Sequence, residues 1–263
     1  MTYLVLLISV SFLLFVYMVY KAHHDTVKYK TICDDRLPSN FNDFRVFFIS
    51  DVHRRKIRDS TLKSITNKLD IVIIGGDLTE KGVPLARTEN NIKKLKKWKI
   101  PIYFVWGNND YEALPEKIYM LLIKENVTIL TNESKDIEKD NSTLSILGLD
   151  CCRYGEPRLD LAQEKAKGEY FILITHAPSA FVELERRDRD KIHTVLAGHT
   201  HGGQIRIFGF GPYERGTYKK LGNTNSIVSE GYGYSKLPFR LGTNAECNVV
   251  TFRKNEAISA PRR

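Results

Sequence analysis

Hydrophobic positions along the chain fall into three regimes. Residues 2–20 carry no charged side chain and are rich in Leu, Val, Ile and Phe. As a helix rising about 1.5 Å per residue this run spans roughly 28–30 Å, close to the hydrocarbon thickness of a bilayer. Nothing basic precedes it, and residues 16–20 are bulky where a cleavable leader needs small side chains, so the pattern predicts a retained single-pass anchor over residues 1–20. Residues 21–43 are polar and mixed, with Pro38, Ser39 and Asn40 near their end, and read as a tether. From residue 44 onward short apolar runs alternate with helical patterning. The runs at 46–49, 71–74, 103–106, 171–174, 192–197 and 205–208 predict strands, and those at 59–68, 86–98 and 115–124 predict helices. This alternation predicts a layered α/β domain over residues 44–263, long enough for one sizeable core.

The polar residues that interrupt these runs are not scattered. Asp51 and His53 follow the first strand, Asp77 follows the second behind Gly75 and Gly76, and Asn108 with Asn109 follows the third. His176 follows the fourth, and His199 and His201 follow the fifth on a loop with Gly198, Gly202 and Gly203. Open α/β sheets place ligand sites at the carboxyl ends of their strands. A single aspartate there can be a helix cap and a single histidine a satisfied core residue. Strand ends that all carry oxygen or imidazole donors predict a metal centre instead. Donors of this kind without thiolate suit manganese, iron or zinc better than magnesium or calcium.

Charge and cysteine usage add less. With 40 basic and 31 acidic residues the formal charge is +9, which permits an anionic partner. Lys21, Lys28, Lys30 and Arg36 follow the apolar run and no Lys or Arg precedes it, so the positive-inside bias predicts a cytoplasmic catalytic domain. Cys33, Cys151, Cys152 and Cys247 form neither a disulfide framework nor a CxxC pair. Ile92, Leu95 and Trp98 sit at helical spacing among five lysines, a pattern of core packing under a basic face, with anionic lipid as the alternative. His193 reads as structural, His23 and His24 as interfacial, and residues 185–191 as a solvated loop. Residues 209–220, with Tyr213, Arg215, Lys219 and Lys220, either line a substrate groove or form ordinary surface.

Taken in order, Asp51-Val52-His53, Gly76-Asp77, Gly107-Asn108, Thr175-His176 and Gly198-His199-Thr200-His201 resemble the five blocks of the calcineurin-like metallophosphoesterases, over about residues 44–253. The Gly-His-Thr-His-Gly-Gly-Gln form, the leading apolar segment and residues 228–240 further resemble the membrane-associated bacterial branch that includes UDP-diacylglucosamine hydrolases. The resemblance implies a four-layer α/β/β/α sandwich holding two divalent metal ions. It assigns Asp51, His53, Asp77 and His201 to one metal and Asp77, Asn108, His176 and His199 to the other, with Asp77 bridging. A hydroxide between the metals would then cleave a phosphodiester or phosphoric anhydride in a phosphorylated small molecule or a lipid-linked substrate.

One position departs from the family pattern. A histidine that contacts phosphate and helps the leaving oxygen is replaced by Asn109, which can donate a hydrogen bond but cannot deliver a proton near neutral pH. General acid catalysis is worth about 10² to 10⁴ in rate, so activity is expected to fall without vanishing and to favour good leaving groups. Two other readings follow. A nuclease or nucleotide phosphodiesterase would use the basic surface on nucleic acid, and a binding module would keep the metals while losing efficient chemistry.

Overall fold

The computed structural model describes residues 1–255, so the last residues of the expected 44–263 domain lie outside the described residues. Helix α1 (Thr2–His23) leads directly into strand β1 (Asp25–Cys33). The chain continues through β2 (Phe44–Ile49), α2 (Asp59–Lys63), β3 (Ile71–Ile74), α3 (Leu85–Leu95), β4 (Ile102–Phe104), α4 (Asn108–Glu112), α5 (Pro115–Lys124) and β5 (Thr128–Ile129). The second half supplies β6 (Glu133–Lys139), β7 (Ser142–Gly148), α6 (Leu159–Glu164), β8 (Tyr170–Thr175), α7 (Ser179–Val182), α8 (Arg186–Arg189), β9 (Thr194–Ala197), β10 (Tyr218–Leu221), β11 (Thr224–Val228) and β12 (Ala245–Arg253). These strands form two six-stranded sheets, ordered β1-β12-β2-β3-β4-β5 and β10-β11-β9-β8-β7-β6.

Alternation along the strands builds the four expected layers. On β2, Val46 and Phe48 point between the sheets, where they join Ile71, Ile73, Ile146, Ile172, Ile174 and Leu196. Phe47 and Ile49 point the other way, onto Leu62, Ile92, Leu95, Ile118 and Leu122 of the outer helices. Leu147, Leu173 and Val195 of the second sheet meet Leu159, Ala162 and Phe181 on the opposite outer face. A strand covered on both faces reads as a continuous apolar run, which is why β2, β3, β8 and β9 were visible in the sequence. The same packing resolves the lysine-rich helix. Ile92 and Leu95 are buried, while Lys94 and Lys97 pair with Asp59, and Lys96 with Glu125.

Residues 185–191 are largely exposed but not a loop throughout, because residues 186–189 form α8, and two larger expectations are corrected. Residues 21–43 are not a tether, because β1 pairs in parallel with β12 from Asp25 opposite Ala245 to Cys33 opposite Arg253. As an edge strand with largely half-exposed side chains it carries no apolar run, so its polar composition concealed it. Its first residue is buried chemistry. Asp25 accepts from Arg55 at 2.5 Å and from Thr61 at 2.6 Å, and also from the Tyr232 hydroxyl. Residues 205–208 are not a strand of either sheet. Ile205 makes an isolated bridge to Leu241, and Ile207 makes another to Phe210, where the chain reverses.

Helix α1 is long and apolar enough to cross a membrane, and none of its apolar window is buried against the rest of the molecule. Its end is nevertheless fixed to the domain. The Arg240 backbone N–H donates to the Met18 carbonyl at 3.1 Å, Lys21 donates to Asn244 at 2.8 Å, and Phe15 meets Phe239 edge-on at 5.3 Å.

Candidate metal centre

The carboxyl ends of β2, β3, β8 and β9, with the start of α4, converge on one cleft of about 350 Å³. Loop-to-loop backbone bonds set the register of the converging segments. Asp51 N–H donates to the Gly76 carbonyl at 3.0 Å, His53 N–H to the Asp77 carbonyl at 3.1 Å, and Gly198 N–H to the His176 carbonyl at 2.9 Å. Leaving a strand this abruptly forces unusual backbone. Asp51, His53, Asp77, His199 and His201 all adopt positive φ, between 50° and 70°. Non-glycine residues are uncommon there, and a cluster of them marks strain concentrated at a site. Glycine is required beside them at Gly198, where a Cβ would lie 2.5 Å from Asp51 Oδ2.

Two donor groups result. Asp51, His53 and His201 form one, and Asp77, His176 and His199 form the other. His53 Nε2 and His201 Nε2 face each other at 3.1 Å, and His201 Nε2 lies 3.5 Å from Asp51 Oδ1. His199 Nδ1 lies 3.1 Å from His176 Nε2, which is 3.3 Å from Asp77 Oδ2. Asp77 Oδ2 also lies 3.7 Å from His53 Nε2, so this carboxylate touches both groups. Donors bound about 2.1 Å from one ion are themselves roughly 3.0–3.4 Å apart; the His53–His201, His176–His199 and His176–Asp77 distances fall in that range, while those of Asp51 to His201 and Asp77 to His53 are longer. Asn108 adds a further observation. Its Oδ1 is buried without a hydrogen-bond partner, a costly state for a carboxamide that a cation would relieve.

The electrostatics divide the imidazoles: His176 would have to give up a proton to a metal ion, whereas His201 is already neutral. Burial would raise Asp77, but the His176 imidazole and the Asn109 amide hold its carboxyl well below the usual range. Burial would lower His176, yet the Asp77 carboxylate wins and pushes it up to about 10. Burial pushes His201 down to about 3 despite Asp51, leaving the neutral imidazole that a metal requires.

Several bracing residues carried no signal in the sequence. The Gly75 carbonyl lies 3.0 Å from His176 Nδ1 and fixes that ring from behind, and the Glu80 carboxylate lies 3.0 Å from His53 Nδ1. Asp110 is fully buried and accepts from the backbone of Thr79 and Gly107, both at 3.0 Å, so it ties the Asp77 loop to the Asn108 turn. Burial and the neighbouring Asp77 push its carboxyl up to about 7. Arg240 is fully buried; it donates to the His201 carbonyl at 3.3 Å, and its Nη2 lies 3.2 Å from His201 Nδ1. Apart from the bond between Gly107 and Asp110 at the start of α4, these contacts join segments far apart in sequence, so no spacing rule could find them.

Residues 44–203 match the model of the calcineurin-like phosphoesterase family. The chain belongs to that family. It is 42% identical over 208 residues to YpbG of Bacillus subtilis (strain 168), covering 78% of this chain and 80% of that protein. It is 29% identical to a transmembrane protein with metallophosphoesterase domain from Danio rerio, covering 84% of this chain and 55% of that one. Among solved structures it resembles the sulfate thiohydrolase SoxB of Thermus thermophilus, with TM-score 0.53 at 14% identity, over 82% of this chain and 57% of that chain. The chain thus spans little more than half of the latter two, and the SoxB likeness is one of fold. This metallophosphoesterase is a phosphohydrolase, a hydrolase with a candidate dinuclear metal centre.

Two expected substrate residues fall in different places. Asn109 lines the cleft, but its Nδ2 donates to Asp77 Oδ2 at 2.7 Å while its backbone N–H donates to Asp77 Oδ1 at 2.7 Å. Arg215 does not line that cleft. It donates to Glu230 Oε1 at 3.0 Å and faces a neighbouring cavity with Lys28, Lys30 and Arg206. The cleft's own cation is Lys236, beside Tyr213 and Gln204. His193 is structural, its Nδ1 accepting from the Phe171 N–H at 3.0 Å while its ring stacks on Tyr170.

Proposed function

We propose that this phosphohydrolase is anchored in a membrane by residues 1–20, carries its catalytic domain on the cytoplasmic side, and cleaves a phosphodiester or phosphoric anhydride. Asp51, His53, Asp77 and His201 hold one divalent ion, and Asp77, Asn108, His176 and His199 hold the second, drawn from manganese, iron or zinc. The observation that carries this reading is the Asp77 carboxylate, which belongs to the group with His176 and His199 and also reaches His53 of the other group, together with the unpartnered Asn108 oxygen. When bound, such a pair of ions supplies a water nucleophile at neutral pH and neutralises charge on the phosphoryl oxygens.

The chain's own groups do the positioning. Asn109 holds both oxygens of Asp77 in place, and Lys236 gives the cleft a cation for a non-bridging phosphate oxygen. The Asn109 carboxamide has no proton to give a departing alkoxide, which supports preference for pyrophosphates or aryl phosphates over alkyl diesters. The relative from Danio rerio is named as a transmembrane protein, which supports the anchor. The positive-inside bias from Lys21, Lys28, Lys30 and Arg36 supports the cytoplasmic side.

The direct test is metal analysis and turnover of the full chain beside Asp77→Asn. We expect close to two ions per chain and hydrolysis of an aryl phosphate, with both lost or severely reduced in the variant. A refilled protein holding only traces of transition metal would sink the reading. Side is tested at Cys33 and Cys152, which are exposed, whereas Cys151 is buried with its thiol pushed up to about 11 by that burial. Labelling of intact cells by an impermeant thiol reagent would contradict the cytoplasmic assignment.

A further inference from the structure

Residues 207–210 form a tight turn in which Ile207 and Phe210 exchange both backbone hydrogen bonds at 2.9 Å. Its two central residues, Phe208 and Gly209, have φ of 49° and 86°. Turns of this kind are ordinarily made from Asn, Asp and Gly, because a bulky side chain at positive φ is strained. Phe208 accepts that strain while standing 96% exposed, and Phe210 is 81% exposed beside Ile207. Leu237, on the neighbouring loop, is exposed as well. A contiguous apolar tip of this kind is unfavourable in water, which points to something that covers it.

The occupant is indicated by what the tip is attached to. Arg206 N–H donates to the Leu241 carbonyl at 2.8 Å and Leu241 N–H to the Gln204 carbonyl at 3.1 Å, so the turn is stitched to residues 239–241. Those residues lie on α1: Arg240 bonds Met18, and Phe239 packs on Phe15. Phe15 is six residues ahead of Lys21, the first charged side chain, or about 9 Å along the helix axis. Phe239 therefore reaches the depth of the apolar run, and the aromatic turn hangs from the same short stretch of chain. Gln204 also clamps residues 235–237, donating to the Ser235 and Leu237 carbonyls at 3.1 and 3.3 Å. Gln204, Ser235 and Lys236 line the metal cleft.

We propose that the turn at residues 207–210, with Leu237, is a second membrane contact: it enters the leaflet nearer the domain, beside the last turns of the N-terminal helix, and holds the mouth of the metal cleft against the lipid–water interface. Phe and Leu side chains on membrane-facing surfaces bury into the boundary between headgroups and acyl chains. The proposal rests on the membrane reading of α1 and is independent of metal or substrate. It also explains why the helix leaves from the end of the sheets that bears the metal ligands: the cleft faces lipid, and Lys236 meets headgroup phosphate at its rim.

The test uses the full chain in phosphatidylcholine–phosphatidylglycerol vesicles containing lipids with a nitroxide on the upper acyl chain. Phe208→Trp probes the turn and Phe12→Trp the helix. Asn141→Trp probes the hairpin between β6 and β7 at the opposite end of the sandwich, and the signal of Trp98 and Trp106 in the parent is subtracted. We expect blue-shifted emission and nitroxide quenching for Phe12→Trp and Phe208→Trp, and iodide quenching only for Asn141→Trp. Phe208→Trp behaving like Asn141→Trp while Phe12→Trp is quenched by lipid overturns the turn contact and leaves the anchor intact. An unquenched Phe12→Trp overturns both. Shielding of Phe208→Trp from iodide without lipid quenching means that protein covers the turn, and also overturns the proposal. Phe210→Trp supplies the same readout should Phe208→Trp fold poorly.

Discussion

The Asp51–His53–His201 group and the Asp77–His176–His199 group offer similar donors, yet they are braced from different parts of the chain. The second is held by the Gly75 carbonyl, Asn109 and Asp110, all within the 44–203 segment that matches the family. The first also depends on later residues. Gly233 N–H donates to the Asp51 carbonyl at 2.6 Å, Tyr232 N–H to Ser50 at 2.9 Å, and Arg240 sits under His201. That loop rests in turn on Asp25, through Arg55 and Tyr232, and on α1, through Met18. One half of the centre is therefore self-contained, while the other is coupled to the N-terminal apolar helix and the first strand.

Perturbing the coupled side should break this asymmetry most. Removing residues 1–33 deletes α1 and β1 and strands a buried arginine, so the remaining chain is expected not to reach a stable fold, read as loss of a cooperative unfolding transition. Asp25→Ala isolates the charge from the strand. Breaking a buried pair costs about 3–5 kcal/mol, and urea unfolding of the detergent-solubilised full chain should show a loss of that order.

Smaller changes should separate the two groups. Arg240→Met is expected to weaken metal binding by about 10- to 100-fold at the His201 group, as loss of residues that orient ligands typically does, with little effect at the other. Chelator competition should then resolve two affinities where the parent shows closer ones. Asn109→Ala removes a hydrogen bond to a carboxylate, worth about 1.5–3 kcal/mol, and should weaken both groups together because Asp77 serves both. Equal behaviour of these two variants would erase the distinction.

The smallest effect lies away from the site. Burial and the nearby Arg36 push His193 down to about 4 from its ordinary 6.5. Between these values the unfolded chain binds a proton that the folded chain refuses. The contribution is therefore intact above pH 6.5 and is lost as pH falls toward about 4. His193→Gln should flatten that part of the stability–pH curve, measured by urea unfolding from pH 4 to 7.

Legibility in the sequence followed burial and locality. Strands β2, β3, β8 and β9 were readable because both faces are covered, and their ends announced Asp51, His53, Asp77, His176, His199 and His201 as polar breaks after apolar runs. Strand β1 was missed because an edge strand needs no apolar run, and Arg215 was misplaced because its partner Glu230 is invisible to local pattern.

What the sequence determined alone was a set of donors, their order and the layered architecture, since these follow from side-chain type and from periodicity within a few residues. What tertiary structure decided was which residues orient those donors from behind, and that the N-terminal apolar helix and the aromatic turn share one end with the cleft. Such relations are set by hydrogen bonds and packing between segments up to about two hundred residues apart, such as Asp25 with Tyr232. No local periodicity encodes them.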